Sequence, residues 1–310
     1  MKELVIISGK GGTGKTSLAA SFAALAGGAA VVADCDVDAA DLHIVLAPRV
    51  RSREEFSSGR VARIREADCI GCGACLARCR FDAVERTDGP EGTHIFAIDE
   101  SACQGCGVCV RFCPVKAIDF PERVSGEWFV SETRFGTLVH ARLSPGRENS
   151  GKLVTAIRAT ARRLAEVSGA RLVISDGSPG IGCPVIASLT GAELALIVTE
   201  PTVSGLHDFR RAAELAARLM VPAAVCVNKW DINPSKADEI ERAAGLAGLR
   251  VVRRVPYDAG VTRAQVEGRT LVESSDGPAS RAVRAVWHEL LGLLGLERAG
   301  LVAQEARCDG

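Results

Sequence analysis

The sequence predicts an α/β chain: a parallel sheet covered by helices on both faces, with a small α+β domain inserted. Three observations carry this. Short apolar runs alternate with amphipathic helical patterns along most of the chain; a glycine-rich loop joins the first run to the first helix; and a cysteine pattern recurs after 34 residues in a stretch without that alternation. At 310 residues there is room for one large domain and one small one. The expected boundaries are 1–60, 61–122 and 123–310, the first and last belonging to one domain.

The first apolar run, Leu4 to Ile7, leads into Gly9-Lys10-Gly11-Gly12-Thr13-Gly14-Lys15-Thr16, and Ser17 to Leu25 follow with helical spacing. This is G-x4-G-K-T in the strand–loop–helix setting it needs. Such a loop turns backbone N–H groups toward phosphates; Lys15 reaches the outer phosphates and Thr16 offers its hydroxyl to Mg2+. Residues Gly9 through Ser17 form the expected nucleotide cradle. The second buried strand, Ala29 to Ala33, ends in Asp34-Cys35-Asp36-Val37-Asp38. From Arg49 to Gly59 the chain turns polar and charged, and a linker is expected.

The repeat comes next. Cys69, Cys72, Cys75 and Cys79, then Cys103, Cys106, Cys109 and Cys113, each read C-x2-C-x2-C-x3-C, with Pro114 after the last. That is the bacterial ferredoxin spacing for [4Fe–4S] clusters, in which the fourth cysteine of each run ligates the other cluster. On this pattern Cys69, Cys72, Cys75 and Cys113 hold one cluster, and Cys103, Cys106, Cys109 and Cys79 hold the second. Zinc sites favour pairs of pairs and disulfide frameworks need no repeat, so both explain the spacing less well. Arg80 stands where a second proline would fall. Each half also offers a short strand, Ala62–Arg65 or His94–Ile98, and a helical turn.

Beyond the insert, 128–142 read as β structure. Apolar strands follow at 171–175, 194–199, 223–227 and 250–254, alternating with amphipathic helices around 152–166, 205–219, 235–247 and 279–294. Ligands of such sheets bind at the carboxyl ends of the strands. Acids stand there: Asp34 and Asp36 after the second strand, Asp176 after Leu172-Val173-Ile174-Ser175. Such carboxylates hold Mg2+, directly or through water, and position an attacking water. Asp34 reads equally as a partner or a strand cap; Asp38 and Asp41 read as solvated turn residues. Gly146 to Lys152 also spells G-x4-G-K, but Leu153 follows and no strand precedes it closely. A helix start near Ser150 or a partner-contacting loop explains it better than a second nucleotide site.

Lys+Arg and Asp+Glu both number 38, so no basic bias points to nucleic acid. The first residues enter a core strand at once, and Leu18 to Ala33 is too short and interrupted to span a bilayer, so no stable membrane insertion is expected. Twelve cysteines without an export signal predict metal binding in a reducing cytoplasm. Cys35, Cys183, Cys226 and Cys308 read as small packed thiols.

Lys10 narrows the family. K-G-G-T-G-K-T resembles the deviant Walker A motif of the MinD, ParA, Mrp and nitrogenase-iron-protein superfamily, and Asp176-Gly177-Ser178-Pro179-Gly180 resembles its switch II. The stretches 149–154, 182–188 and 199–206 extend the likeness over nearly the whole chain, which resembles a MinD-like P-loop ATPase with an inserted ferredoxin domain. The resemblance implies ATP or ADP, Mg2+, two [4Fe–4S] clusters and a nucleotide-dependent homodimer in which Lys10 reaches the partner's nucleotide. It implies Asp36 for orienting water, Asp176 and Thr16 for the metal, and a Gly180 N–H that senses the terminal phosphate. Asn228-Lys229-Trp230-Asp231 also resembles the N-K-x-D base reader of GTPases; in MinD-like relatives the asparagine faces adenine, and Pro256-Tyr257-Asp258 resembles the loop closing over that base. ATP is favoured, because the deviant Walker A outweighs a shared dipeptide.

Three functions fit: an ATP-driven electron donor to a redox partner protein, an Mrp-like assembly or carrier ATPase serving a metal-cofactor partner, and a MinD-like positioning ATPase with a redox sensor. Positioning wants a basic amphipathic tail, which 298–310 do not supply. Carriers of the Mrp type present a free C-x-x-C pair, and this chain has none outside the repeat. Redox coupling is the leading expectation.

Overall fold

The computed structural model describes residues 1–89, 94–144 and 150–296, and they fall into two compact units. The larger comprises Met1–Glu54, Glu127–Leu143 and the described residues from 150 onward; the smaller is centred on Glu55–Gly126.

In chain order the larger unit opens with β1 (Lys2–Ser8), α1 (Lys15–Ala26), β2 (Ala30–Asp34) and α2 (Leu42–Leu46). Strand β3 (Arg49–Arg60) then passes into the smaller unit. That unit holds β4 (Arg63–Ile64), α3 (Ala74–Arg78), β5 (Val84–Asp88), β6 (His94–Ile98), α4 (Val108–Phe112) and β7 (Ile118–Asp119). Strand β8 (Glu122–Thr133) leads back to β9 (Gly136–Leu143), α5 (Ser150–Ser168), β10 (Leu172–Pro179), α6 (Cys183–Leu189), β11 (Leu194–Thr199) and α7 (Val203–Arg218). Then come β12 (Ala223–Val227), α8 (Pro234–Leu246), β13 (Arg250–Val251), α9 (Gly260–Val266), α10 (Leu271–Ser274) and α11 (Pro278–Leu294).

The strands of the larger unit join one sheet of order β13-β12-β11-β1-β10-β2-β9-β8-β3, parallel from β13 through β9. β1 shows why it is covered on both sides. Leu4 and Ile6 enter a core shared with Phe22 and Trp287, whereas Val5 and Ile7 enter one shared with Phe209 and Ile240. Successive side chains of a strand face opposite ways, so a run without polar residues requires a helical layer on each face. Phe22 and Trp287 stack at 5.3 Å between ring centres. Glu3 interrupts the run, yet it is fully buried. Arg158 meets both its carboxylate oxygens at 2.7 and 2.8 Å, Arg162 donates to it at 2.7 Å, and the Ser175 hydroxyl at 2.8 Å. Such pairing is what a buried carboxylate requires.

The expected linker at 49–59 is instead strand β3, at the sheet's edge. It is exposed almost throughout, so it carries none of the apolar alternation by which a strand is recognised. Ion pairs from Arg51 to Glu132 and from Arg53 to Glu127 tie it to β8. The strand expected at 250–254 shrinks to Arg250–Val251, although Val252 and Val255 still donate backbone hydrogen bonds to β12. Cys35 and Cys226 are buried as expected, whereas Cys183, the first residue of α6, faces out and is exposed; Gly146 to Asn149 and Arg298 to Gly310, with Cys308, lie outside the described residues. Among the described residues no helix is long and apolar enough to cross a membrane.

The smaller unit is two antiparallel pairs, β4 with β7 and β5 with β6, plus two single-turn helices. Its core mixes Val61, Val84, Phe96 and Ile118 with the cysteines themselves.

Candidate functional site

Register brings the acids together. In the parallel ladder Asp176 of β10 lies beside Asp34 of β2 on one side and Ile6 of β1 on the other. The glycine-rich loop leaves β1 two residues later, so these carboxylates stand at the sheet end from which it departs. Gly14 caps α1 with φ 94°, where an added Cβ would also strike the Asn228 amide. Lys15 follows, almost buried, with Nζ 3.7 Å from Asp36 Oδ2.

The acid cluster is short of partners. Both carboxylate oxygens of Asp176, one of Asp34 and the Thr13 hydroxyl are buried without a hydrogen bond. Burial pushes the Asp176 carboxyl up to about 6, against the pull of Lys15 and Thr16, neither of which closes a hydrogen bond to it. Burial and the Asp176 charge push Asp34 well above the usual carboxylate range. Asp36 is raised by burial and held back by Lys15. Three buried carboxyls leaning toward protonation, with unpaired oxygens among them, form an environment a divalent cation would satisfy. Mg2+ held by one or two of these oxygens and otherwise by phosphate and water fits these residues.

Beside them lies a cavity of about 330 Å3, large enough for a ligand of nucleotide size. Gly12, Gly14, Lys15, Thr16 and Ser17 line it from the loop and α1; Asn228, Lys229, Pro256 and Asp258 line it from the ends of β12 and β13. Three lining residues, Val261, Thr262 and Gln265, carried no expectation in the sequence; Asp41, expected as a solvated turn residue, lines the cavity as well, and Tyr257 joins it as part of the expected base loop. Gln265 donates to the Ser17 hydroxyl at 3.0 Å, across 248 positions of sequence. No local pattern marks such a residue.

Other predicted residues stand apart from the cavity lining: Gly9, Lys10, Gly11, Thr13, Gly180, Asp36 and Asp176. Gly180 spends its N–H on the Ser8 carbonyl at 2.8 Å, so that group is not free toward a phosphate in this arrangement. Asn228 lines the cavity, but its amide donates to Thr13 O at 2.8 Å and its oxygen accepts from Lys229 N–H, so it braces the loop. Lys10 is pinned. Its ammonium lies 2.5 Å from Glu200 Oε1 and within reach of the Thr202 and Ser204 hydroxyls, while Lys229 takes the other Glu200 oxygen at 3.4 Å. Glu200 was legible only as part of a family-like stretch, without a role.

In the smaller unit the eight cysteines surround two small cavities. Cys69, Cys72, Cys75 and Cys113 line one, with Ile70, Phe96 and Val115; Cys79, Cys103, Cys106 and Cys109 line the other, with Arg78, Phe81 and Gln104. Each cavity thus draws three cysteines from one run and the last from the other. The two halves repeat in backbone as well. Gly71 and Gly105 have φ 68° and 64°, and an added Cβ would strike the His94 carbonyl in one half and the Arg60 carbonyl in the other. Burial raises the thiols of Cys75 and Cys109, the latter to about 11. Among the described residues no three metal-ligating side chains stand as close as a single ion needs. Four sulfurs set around a cavity suit a four-iron cube better, and two such cubes fit these residues.

Comparison with known proteins agrees with both halves of this picture. Residues 62–120 match the family model of a 4Fe–4S dicluster domain. The chain resembles the MinD septum site-determining protein of Pyrococcus horikoshii, whose structure is a complex with Mg-ADP, at TM-score 0.58 and 14% identity over 96% of this chain and 99% of that one. It resembles MinD in the MinC:MinD complex of Aquifex aeolicus at TM-score 0.57 and 17% identity over 94% and 96%, and Cyanothece McdA at 0.53 and 16% over 94% and 99%. Among curated sequences, the uncharacterised protein MJ0579 of Methanocaldococcus jannaschii is 24% identical over 89% of this chain and 94% of its own length. Its neighbour in name, MJ0578, is 31% identical over 93% of this chain and 96% of its own. This chain therefore belongs to the family of MJ0578, and its architecture is that of a MinD/ParA-type P-loop ATPase carrying a 4Fe–4S dicluster domain.

Proposed function

We propose that this protein hydrolyses ATP and uses the nucleotide cycle of a homodimer to gate electron flow through two resident [4Fe–4S] clusters to a partner protein. The observation that carries the reading is the division of all eight repeat cysteines between two four-sulfur cavities, in a chain that also presents a P-loop and its buried acids. Every repeat thiol then has a resident role, and none is left as a transferable pair, which favours electron transfer over cluster carriage.

When bound, Mg2+ would offset phosphate charge and the clusters would supply reversible one-electron transfer. The chain's own residues do the rest. The loop from Gly9 to Thr16 cradles phosphates, Lys15 neutralises the outer ones, Thr16 and Asp176 hold the metal side, and Asp36 orients water. Asn228 stiffens the loop through Thr13, and Pro256, Tyr257 and Asp258 enclose the base. Adenine is the favoured base because Asp231, the residue that would read guanine in an N-K-x-D motif, is spent on the Tyr257 N–H at 2.7 Å and does not line the cavity. Lys10 acts across the dimer, so it must first leave Glu200, Thr202 and Ser204.

Gating implies that nucleotide and redox state are linked. A ligand that prefers one redox state shifts the potential by the same free energy; a coupling of about 1 to 3 kcal/mol is roughly 40 to 130 mV for one electron. Potentiometric titration of the holoprotein with no nucleotide, with ADP and with a non-hydrolysable ATP analogue measures it. Identical potentials in all three states, with the redox partner present as well, would remove gated electron transfer.

A further inference from the structure

The dicluster unit segregates its surface. Of the six exposed large hydrophobic side chains within 55–126, five fall in the two cysteine runs and the residues just after them: Ile70, Leu76, Phe81, Phe112 and Val115. Ile70 is 63% exposed and the other four exceed 40%. They fall at the two cysteine cavities and on the paired helices α3 and α4. Ile70 and Val115 line the first cavity, Phe81 the second, and α3, which carries Leu76, packs on α4, which carries Phe112.

Charge segregates with them. Residues 69–81 and 103–116 contain Arg78, Arg80, Arg111 and Lys116 and no acidic residue. The remaining described part of 55–126 carries five basic and ten acidic side chains. All four cations are exposed, and among the described residues none of them forms an ion pair; Arg78 lies over the Phe112 ring at 4.0 Å. Elsewhere in the unit Arg63 pairs with Glu100, and Arg65 with Asp68 and Asp119. An apolar patch with unpaired cations beside two electron-carrying sites has the composition of a docking surface, apolar where water must leave and charged where approach is steered.

We infer that this face, around Phe112 and Phe81, docks a small redox protein whose own binding face is apolar at its centre and rimmed by carboxylates. The inference rests on the electron-transfer reading and deepens it by naming the partner's chemistry. Arg80 gains a role here: it adds a cation to the rim where the ferredoxin spacing would leave a proline. The same cations offset negative charge on thiolate-bound clusters, so the test separates the two roles.

The test uses the full-length holoprotein, oxidised and anaerobic, with two probe proteins: a strongly acidic flavodoxin and a basic cytochrome c. The acidic probe should bind, and its affinity should fall about tenfold between 20 and 200 mM salt, while the basic probe binds at least tenfold more weakly. Arg80→Glu/Arg111→Glu should lower affinity for the acidic probe at least tenfold, and Phe112→Ser at least fivefold, with cluster spectra retained. A control reversal at exposed Arg163 and Arg250 should change it less than twofold. Equal binding of both probes overturns the inference, as does wild-type affinity in the Arg80/Arg111 variant. So does a reversal that moves the cluster potential and leaves binding unchanged, for then the cations serve the clusters alone. Two other findings would also overturn it: loss of self-association in the face variants without loss of probe binding, or charge-dependent binding to phosphatidylserine vesicles in place of the acidic probe. Failure of the parent reading registers separately, as potentials that ignore nucleotide.

Discussion

The two units hold their sites in opposite ways. The candidate nucleotide cavity is gathered from Lys15, Asn228, Asp258 and Gln265, spread over most of the chain, and a two-sided apolar sheet keeps them in place. The cysteine sites come from two short runs, in a unit whose strands are two to five residues long and whose core includes the ligands. In the larger unit the core supports the site. In the smaller one the site must support the core, because so few apolar side chains cannot by themselves offset the entropy of ordering the chain. Metal binding then becomes part of folding.

The sharpest way to break this comparison is to remove iron. Chelation, or Cys75→Ser, should raise amide exchange across 62–120 by orders of magnitude while the amides of β1, β10 and β11 keep their protection. Equal protection of 62–120 with and without iron would mean that the small unit folds unaided. The reciprocal lesion is Trp287→Ala. It removes a buried indole stacked on Phe22 and should cost about 3–5 kcal/mol, read as a lower thermal midpoint of the larger unit with cluster absorbance unchanged.

A smaller effect separates the two lysines of the loop. Lys15→Ala removes a nearly buried cation facing Asp36 and should weaken ATP binding by about 1.5–3 kcal/mol. Lys10→Ala only frees Glu200 from an ion pair, so affinity should hold, while hydrolysis falls about 10³-fold or more if Lys10 acts on the transition state in trans. Mixing Lys10→Ala with Asp36→Ala subunits should restore one working site per heterodimer; a monomeric Lys10→Ala protein with full hydrolysis would exclude the trans role.

The mildest probe is pH. His140 of β9 is buried, stacked on Phe129 at 5.1 Å and 2.8 Å from the Ser131 hydroxyl. Burial, then the neighbouring His43, pulls its pKa down to about 4. The unfolded chain protonates near 6.5, so the stabilising contribution is complete above that value and is lost as pH falls toward 4. The thermal midpoint of the larger unit should drop over that window, and His140→Asn should flatten the drop. An unchanged slope in the variant would assign acid sensitivity to other groups.

Much of this was legible in sequence because the signals are local. Strand–loop–helix, C-x2-C-x2-C-x3-C and continuous apolar runs are each complete within a few residues, since a phosphate cradle and a cluster loop need neighbouring backbone. β3 was not, because an exposed edge strand has no buried face to impose alternation. Nor was the engagement of Gly180 with Ser8, of Asn228 with Thr13 or of Lys10 with Glu200. Each is a choice among partners that only a folded chain can offer.

By itself, then, the sequence determined the phosphate-loop and cysteine-run motifs, the alternation of strands and helices along the chain and the expected grouping of the thiols. Tertiary structure decided what stands beside what. Parallel register set Asp176 against Asp34; distant elements brought Asp41, Thr262 and Gln265 to the candidate nucleotide cavity; and folding left five large apolar side chains of the cysteine runs exposed. The physical reason is range: propensity and ligand spacing act over a few residues, whereas burial and electrostatics act between whatever the fold makes adjacent.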